Sequence, residues 1–288
     1  MSGVESRRAG RLIVITGASG AIGAAVSRRL AALGDRLLLI GRRPEALDEL
    51  KTSLPGGPHR TAALDVTDEK AWALLDDRLE SDGLVDGLVT AAGTLGPIGP
   101  PGSWGIEEFR HAIDVNLVGT LLPIVSLLRL LRAARGAVVL FSGGGATSPF
   151  PNFDAYAATK AAIVRLAENL AVELAADGVR LNCVAPGFVA SAIHRATLDA
   201  GAQLAGKDFY ERTRRVLEAG GDSPELAANL AAFLLSPEAE GITGRLISAR
   251  WDPWEEPAFR ERLRSDPSLG MLRRIDDQAF FARTQPPG

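Results

Sequence analysis

The sequence predicts a doubly wound α/β fold, a parallel sheet of about seven strands with helices on both faces. Three observations lead there. Short runs of Val, Ile and Leu alternate with longer helical patterns along most of the chain. Those apolar runs are continuous rather than alternating, as strands buried on both faces require. At 288 residues, 46% hydrophobic and 23% charged, the chain is long enough to bury such a core. Connections between parallel strands are then expected to be right-handed.

The elements follow in order. "RLIVITG" (11–17) reads as a buried strand and "AIGAAVSRRLAALG" (21–34) as a helix ending at Gly34. "RLLLIGR" (36–42) is a second strand, followed by a helix with Pro44 at its start. "TAALDV" (61–66) is a third, with Thr67 or Asp68 capping the helix through Leu79. "GLVTAAG" (87–93) is the fourth. A Gly/Pro-rich loop (94–103) leads into a long helix from about Ile106 to Ala134, bent by Pro123. "GAVVLFSG" (136–143) is the fifth strand, and Asp154 caps the helix that follows it. "VRLNCVAPG" (179–187) is the sixth. Residues 191–222 are helical but irregular, and "GRLISA" (244–249) is a last strand. One domain therefore covers 1–249, including a substrate segment at 191–222, with 1–11 a short lead-in. Residues 250–288 form a polar and aromatic extension. Its Trp251, Trp254, Phe259 and Phe280 are costly to expose, so it packs on the domain or a neighbouring subunit, with the substrate end or a subunit interface favoured.

Composition excludes several function classes. A net charge of −3, from 32 basic and 35 acidic residues, gives no electrostatic case for nucleic acid. Cys183 is the only cysteine, so no intrachain disulfide forms and a cytoplasmic setting fits. Set within an apolar strand, it reads as a small core residue. His59, His111 and His194 are far apart, so no metal is expected. His194 reads as a surface residue, with a substrate contact the alternative. No apolar run reaches membrane-spanning length, and the N-terminus lacks the apolar stretch of a signal peptide.

Gly17, Gly20 and Gly23 in "TGASGAIG" (16–23) join the first strand to the first helix. Glycines close such a turn tightly, and the N–H groups of the helix start suit a pyrophosphate. A plain tight turn uses the same residues, and its place after strand one is what points to a dinucleotide. NAD-binding sheets of this type end the second strand with an acidic residue for the ribose 2′-hydroxyl. Here Gly41 is followed by Arg42 and Arg43, which suit a 2′-phosphate, so NADP is expected and NAD is the alternative. Asp65 is either a partner for the adenine amino group or a helix cap.

Tyr156 and Lys160 stand one helical turn apart and share a face. A phenol ionises near pH ~10. A neighbouring ammonium favours the phenolate and draws that value toward the working range. The same spacing occurs on ordinary surface helices, and its position after the fifth strand is what singles it out.

Taken together, "TGASGAIG", "LDV" (64–66), "AAG" (91–93), "DVN" (114–116), "YAATK" (156–160) and "APG" (185–187) resemble the short-chain dehydrogenase/reductase family over roughly 11–249. The compact single-domain branch, which includes 3-oxoacyl-carrier-protein reductases and related carbonyl reductases, is the nearer match. The resemblance implies a Rossmann-type sheet and an NADP-dependent oxidoreductase interconverting a small-molecule ketone and a secondary alcohol. Tyr156 would move the proton, Lys160 would lower its pKa and hold the nicotinamide ribose, and Asn116 would hold a relay water. Pro186 and Gly187 would line the nicotinamide, with Ser191 near its carboxamide. It extends the cofactor-binding set to Ser19, Ile22, Val66, Ala92, Gly93 and Val189. A homodimer or homotetramer built on the helices at 106–134 and 153–177 is also implied.

Three departures stand out. Ala21 replaces a glycine of the family's TGxxxGIG, leaving the glycines three apart, as in sugar-nucleotide epimerases. Strand four ends Thr90-Ala91-Ala92-Gly93 where N-N-A-G is usual. The family's catalytic serine, thirteen residues before the tyrosine, is Gly143, while Ser142 stands one residue earlier. A one-residue shift along a strand reverses a side chain, but the glycines at 143–145 permit other backbone paths. Ser142 is therefore a candidate for the missing donor, with Gly144 N–H, Ser148 or the substrate itself as substitutes. These departures keep two other functions open: a dinucleotide-binding sensor or scaffold, and an epimerase that retains NAD.

Overall fold

The computed structural model describes residues 10–79 and 84–273. The lead-in at 1–9 and Phe280 lie outside them. Seven parallel strands form one sheet in the order β3-β2-β1-β4-β5-β6-β7. They are β1 (Leu12–Thr16), β2 (Arg36–Gly41), β3 (Arg60–Ala63), β4 (Gly87–Thr90), β5 (Ala137–Phe141), β6 (Arg180–Ala185) and β7 (Leu246–Ser248). The order reverses at β1, which pairs Thr16 with Ile40 of β2 on one side and Thr90 of β4 on the other. In open sheets of this kind ligands bind beyond the strand ends at that reversal.

The two-residue period of the strands divides the core. Ile13, Ile15, Leu37, Leu39, Val89 and Val139 face one layer, with α1 (Ala21–Ala32), α2 (Pro44–Ser53) and α10 (Pro224–Leu235). Leu12, Val14, Leu38, Ile40, Leu88 and Val138 face the other. That layer holds α3 (Glu69–Leu79), α5 (Gly119–Ser126), α6 (Leu128–Ala134) and α7 (Asp154–Glu173). Cys183 lies in this second layer, its thiol pushed up to about 12 by burial. It is a core residue, as read from the sequence.

Several local expectations are corrected. The third strand stops at Ala63, so Leu64, Asp65 and Val66 form the loop beyond it. Of the two caps read for α3, Thr67 or Asp68, it is Asp68 whose carboxylate accepts from Lys70 and Ala71 N–H at 3.0 Å, as the sequence allowed. The expected single helix over 106–134 is three: α4 (Ile106–Ile113), a π-turn at Asp114–Val118 continuing into α5, and then α6. The 58° bend comes between Ser126 and Leu128, one turn past Pro123. Phe153, not Asp154, is the N-cap of α7; Asp154 is its first residue, where its charge complements the helix dipole. Among the described residues no single helix is long and apolar enough to cross a membrane.

The described part of the extension packs on the domain. Trp254 is buried and stacks on Phe233 of α10 at 5.8 Å, while Arg260 of α11 (Pro257–Ser265) lies over the same ring. The chain then covers the exposed side of β7, where Leu246 N–H donates to Gly270 O at 2.6 Å. Arg245 donates to the Pro267 and Leu269 carbonyls, and Leu272 N–H to Glu168. An edge strand otherwise presents unpaired backbone groups to any passing strand. Among the described residues of the extension, 254–265 packs on α10 and the turn at 237–240 and 267–272 runs beside β7, whereas the sequence reading favoured the substrate end or a subunit interface. Trp251, expected to be covered, is 76% exposed, with the Arg250 guanidinium over its ring.

Candidate active site

A cleft of about 520 Å³ opens at the ends of β1, β2 and β4. Its floor is backbone. Gly17 has φ +62°, and a Cβ there would lie 2.5 Å from Ala92 N; a Cβ on Gly23 would collide with the Gly17 carbonyl. No side chain caps α1, so its first N–H groups retain their attraction for an anion. Ser19 Oγ stands beside Gly41. The walls are Arg42 and Arg43, then Leu64, Asp65 and Val66, then Ala92, Gly93 and Thr94. A tight glycine turn at an uncapped helix start, with two exposed arginines at the far wall, fits a nicotinamide dinucleotide.

Asp65 Oδ1 accepts the N–H and hydroxyl of Thr67 at 2.9 and 2.7 Å. These bonds, the backbone one first, hold its carboxyl below the usual range. It ties a turn rather than capping α3, and still lines the cleft. His111 and Val115 also line it and were missed. Their signal was their spacing: four apart on the helical run into "DVN". Ile22 instead packs against the core below α1.

Tyr156 and Lys160 project from the first turns of α7, 9% and 5% exposed. Lys160 Nζ donates to the Phe141 carbonyl at 2.9 Å and lies 5.5 Å from the tyrosine ring centre. Burial pushes the Tyr156 phenol up to about 12 and draws Lys160 down to about 8. The expected lowering of the tyrosine by its lysine is therefore absent from this site as it stands: desolvation dominates, and the ammonium bonds a carbonyl instead of the phenol.

Ser142 does not reach the tyrosine. Its hydroxyl donates to the Lys160 carbonyl at 3.3 Å, while its N–H continues the β5–β6 ladder to Val184 O. Position 143 is the one that faces the site, since a Cβ on Gly143 would collide with the Tyr156 hydroxyl. The two-residue period still holds at the strand end, and the glycines do not rotate Ser142 inward.

Asn116, in the π-turn, braces the site. Its Oδ1 accepts Thr94 N–H at 2.8 Å, and its Nδ2 donates to Thr94 O and Thr159 Oγ1 at 2.9 and 3.0 Å. Thr159 Oγ1 in turn donates to the Tyr156 carbonyl. Asn116 thus ties the loop after β4 to the catalytic turn of α7.

Pro186, Gly187, Val189 and Ser191 follow β6. Asp222 fixes that loop: its carboxylate accepts Phe188 N–H at 2.7 Å, its N–H donates to Phe188 O, and Arg250 pairs with it at 2.6 Å. Asp222 was missed because no motif surrounds it. Ser191 Oγ lies 3.3 Å from His194 Nδ1, and His194 stacks on Phe188 at 3.8 Å. Burial lowers the His194 pKa, so this is not the surface histidine expected.

A family model described as enoyl-(acyl carrier protein) reductase matches residues 17–249. A cis-4-hydroxycyclohexanecarboxylate dehydrogenase from Sinomonas cyclohexanicum is 34% identical over 83% of this chain and 94% of its own. A glucose 1-dehydrogenase from Gluconobacter oxydans is 30% identical over 84% and 91%. The crystal structure of levodione reductase superposes with a TM-score of 0.74 at 27% identity, covering 85% of this chain and 97% of that one. With the sheet order, the glycine turn and these matches in agreement, the chain belongs to the short-chain dehydrogenase/reductase family, oxidoreductases acting on CH–OH groups.

Proposed function

We propose that the chain is an NADP-dependent oxidoreductase that interconverts a ketone and a secondary alcohol, with Tyr156 exchanging the proton at the substrate oxygen. The observation that carries this is the pair Tyr156 and Lys160 beside the cleft: Lys160 Nζ comes within 3.8 Å of where a Cβ on Gly93 would stand. The glycine turn 17–23 would hold the pyrophosphate, Arg42 and Arg43 the 2′-phosphate, and Asp65 with Val66 the adenine end. The residues from Pro186 to Ser191 would meet the nicotinamide. The bound cofactor supplies or accepts the hydride. Tyr156, held protonated by burial, is suited to donate to the carbonyl oxygen in the reducing direction and to take the proton back in the oxidising one. Lys160, mostly charged below pH about 8, would stabilise the phenolate left behind.

Names of relatives agree with this chemistry, since one acts on a hydroxylated cyclohexane ring and another is called a levodione reductase. A homodimer or homotetramer through the helices at 106–134 and 153–177 belongs to the same reading. Val118, Val125 and Val172, exposed on those helices, are what such an interface would cover. A cytoplasmic location suits the one buried cysteine. One observation favours a second reading, a dinucleotide-binding sensor: Gly143 is the residue that faces the Tyr156 hydroxyl, and Ser142 beside it bonds the Lys160 carbonyl instead.

The test is oxidation of NADPH and NADH by the purified chain across a panel of ketones. Tyr156→Phe should lower turnover by about 10³-fold with NADPH binding retained, and kcat/KM should favour NADPH. Undiminished turnover in that variant removes the catalytic role. Cofactor binding without turnover on any ketone would favour the sensor.

A further inference from the structure

The cluster that packs with Tyr156 on the side away from the cofactor cleft is apolar, rings together with Leu95, Ile98 and Ile193. The Phe150 edge lies 3.5 Å from where a Cβ on Gly144 would stand, and its ring meets Tyr156 edge-on at 6.4 Å. Phe209 of α9 (Lys207–Glu218) packs against Phe150 at 4.8 Å and Phe153 at 5.0 Å. Phe188 continues the wall at 6.2 Å from Phe209 and carries His194 of α8 (Ala192–Ala205) stacked on it.

The two helices over the site are sided in the same sense. Arg195, Lys207, Arg212, Arg214 and Arg215 are all solvent-exposed. Phe209 and Tyr210 turn inward with Ile193 and Ala205. Of the inward polar groups, His194 already has Ser191 Oγ at its Nδ1 and Thr197 Oγ1 donates to the Ile193 carbonyl of its own helix. With Tyr156 only 9% exposed, a substrate that reaches its hydroxyl must part these rings. An apolar molecule replaces the contacts it breaks, whereas each hydroxyl of a polyol loses water and meets no partner.

We propose, building on the reading of Tyr156 as the proton-transfer residue, that the substrate carries its carbonyl on an apolar ring or chain. The class is an alicyclic or aromatic ketone and the matching secondary alcohol, not a sugar, polyol or phosphorylated compound. Phe150 and Phe209 select it.

The test compares initial rates of the full chain with NADPH on cyclohexanone and 2-decalone against xylulose and dihydroxyacetone phosphate. The apolar ketones should exceed the polar ones in kcat/KM by about 10²-fold. Phe209→Ser should cut kcat/KM for 2-decalone by about tenfold or more, chiefly through KM. Phe209→Leu should restore most of it, and NADPH affinity by fluorescence should be unchanged in both. Equal or faster turnover of the polar set, or a 2-decalone rate indifferent to Phe209→Ser, overturns the substrate class while leaving the reductase reading intact. Absence of NADPH-linked turnover with either set, or turnover surviving Tyr156→Phe, overturns the reductase reading and the substrate class with it.

Discussion

On the cofactor side of Tyr156 the floor is main chain, with Gly17 and Gly20 at close quarters and Ala92 and Gly93 opposite, in a cleft of about 520 Å³ whose far walls carry Arg42, Arg43 and Asp65. On the other side the wall carries rings, with Phe150 edge-on to Tyr156 and packed in turn against Phe153 and Phe209. Backbone surfaces recognise what every nicotinamide dinucleotide shares, and require particular residues at fixed spacing. Side-chain surfaces recognise what is peculiar to one substrate, and any residue of suitable size and polarity will serve.

The sharpest way to break this contrast lies at Arg42 and Arg43, where the cofactor side does depend on side chains. Replacing both by alanine should raise the KM for NADPH by about 10²-fold or more, two charge-assisted contacts being lost. The KM for NADH should barely move. Steady-state kinetics with both cofactors checks this, and parallel loss for both would deny the arginines any part in discrimination.

Next in size is the cost of keeping Lys160 charged where the two halves meet. In the folded chain its ammonium titrates at about 8, against 10.5 for a free lysine. Between those values the unfolded chain holds a proton that the folded chain has released, so stability should rise with pH across that window. The full gain is on the order of 3 kcal/mol. Tyr156, raised to about 12, works the opposite way, but only once free phenols ionise, above about 10. Urea unfolding at pH 8 and 10 should therefore show a rising component that Lys160→Met lacks. Identical slopes in the two proteins would mean the lysine is not desolvated.

The same contrast explains what could be read in advance. β1, β2, β4, β5 and β6 were legible because a sheet buried on both faces imposes unbroken apolar runs, whereas β3 at the edge is half-exposed and its end was read three residues too far. The cofactor cleft was legible because glycine is obligatory where Gly17 and Gly23 meet neighbouring backbone. The aromatic wall was not, since Phe150, Phe188 and Phe209 come from three separate loops and helices and form no spaced motif. Asp222 was hidden for the same reason: it matters through Phe188 N–H and Arg250, neither its sequence neighbour. The bend was expected at Pro123, but the helix continues through it and breaks at 126–128, past the turn that a proline disturbs. Trp251 was misread because aromatic character favours burial without compelling it.

The smallest effects belong to the glycine-rich turn, and they test whether the missing serine was ever replaced. Gly143→Ser puts the family residue back, yet a Cβ at 143 collides with the Tyr156 hydroxyl. The ring must shift, a change that costs about 1–3 kcal/mol in a packed interior. Turnover should therefore fall by about tenfold rather than rise. Ser142→Ala removes one hydrogen bond, to the Lys160 carbonyl, and nothing that faces the tyrosine. It should cost about 1 kcal/mol of stability and leave kcat within about twofold, as expected of a group that bonds only backbone. If instead Ser142→Ala loses about 10²-fold in kcat, the scale of a removed oxyanion donor, then Ser142 turns inward during reaction. The site would then work with its serine one residue out of register. If both variants behave as expected, Tyr156 acts against a bare backbone turn, and the hydrogen bond the family takes from a serine comes from main-chain N–H groups or is absent.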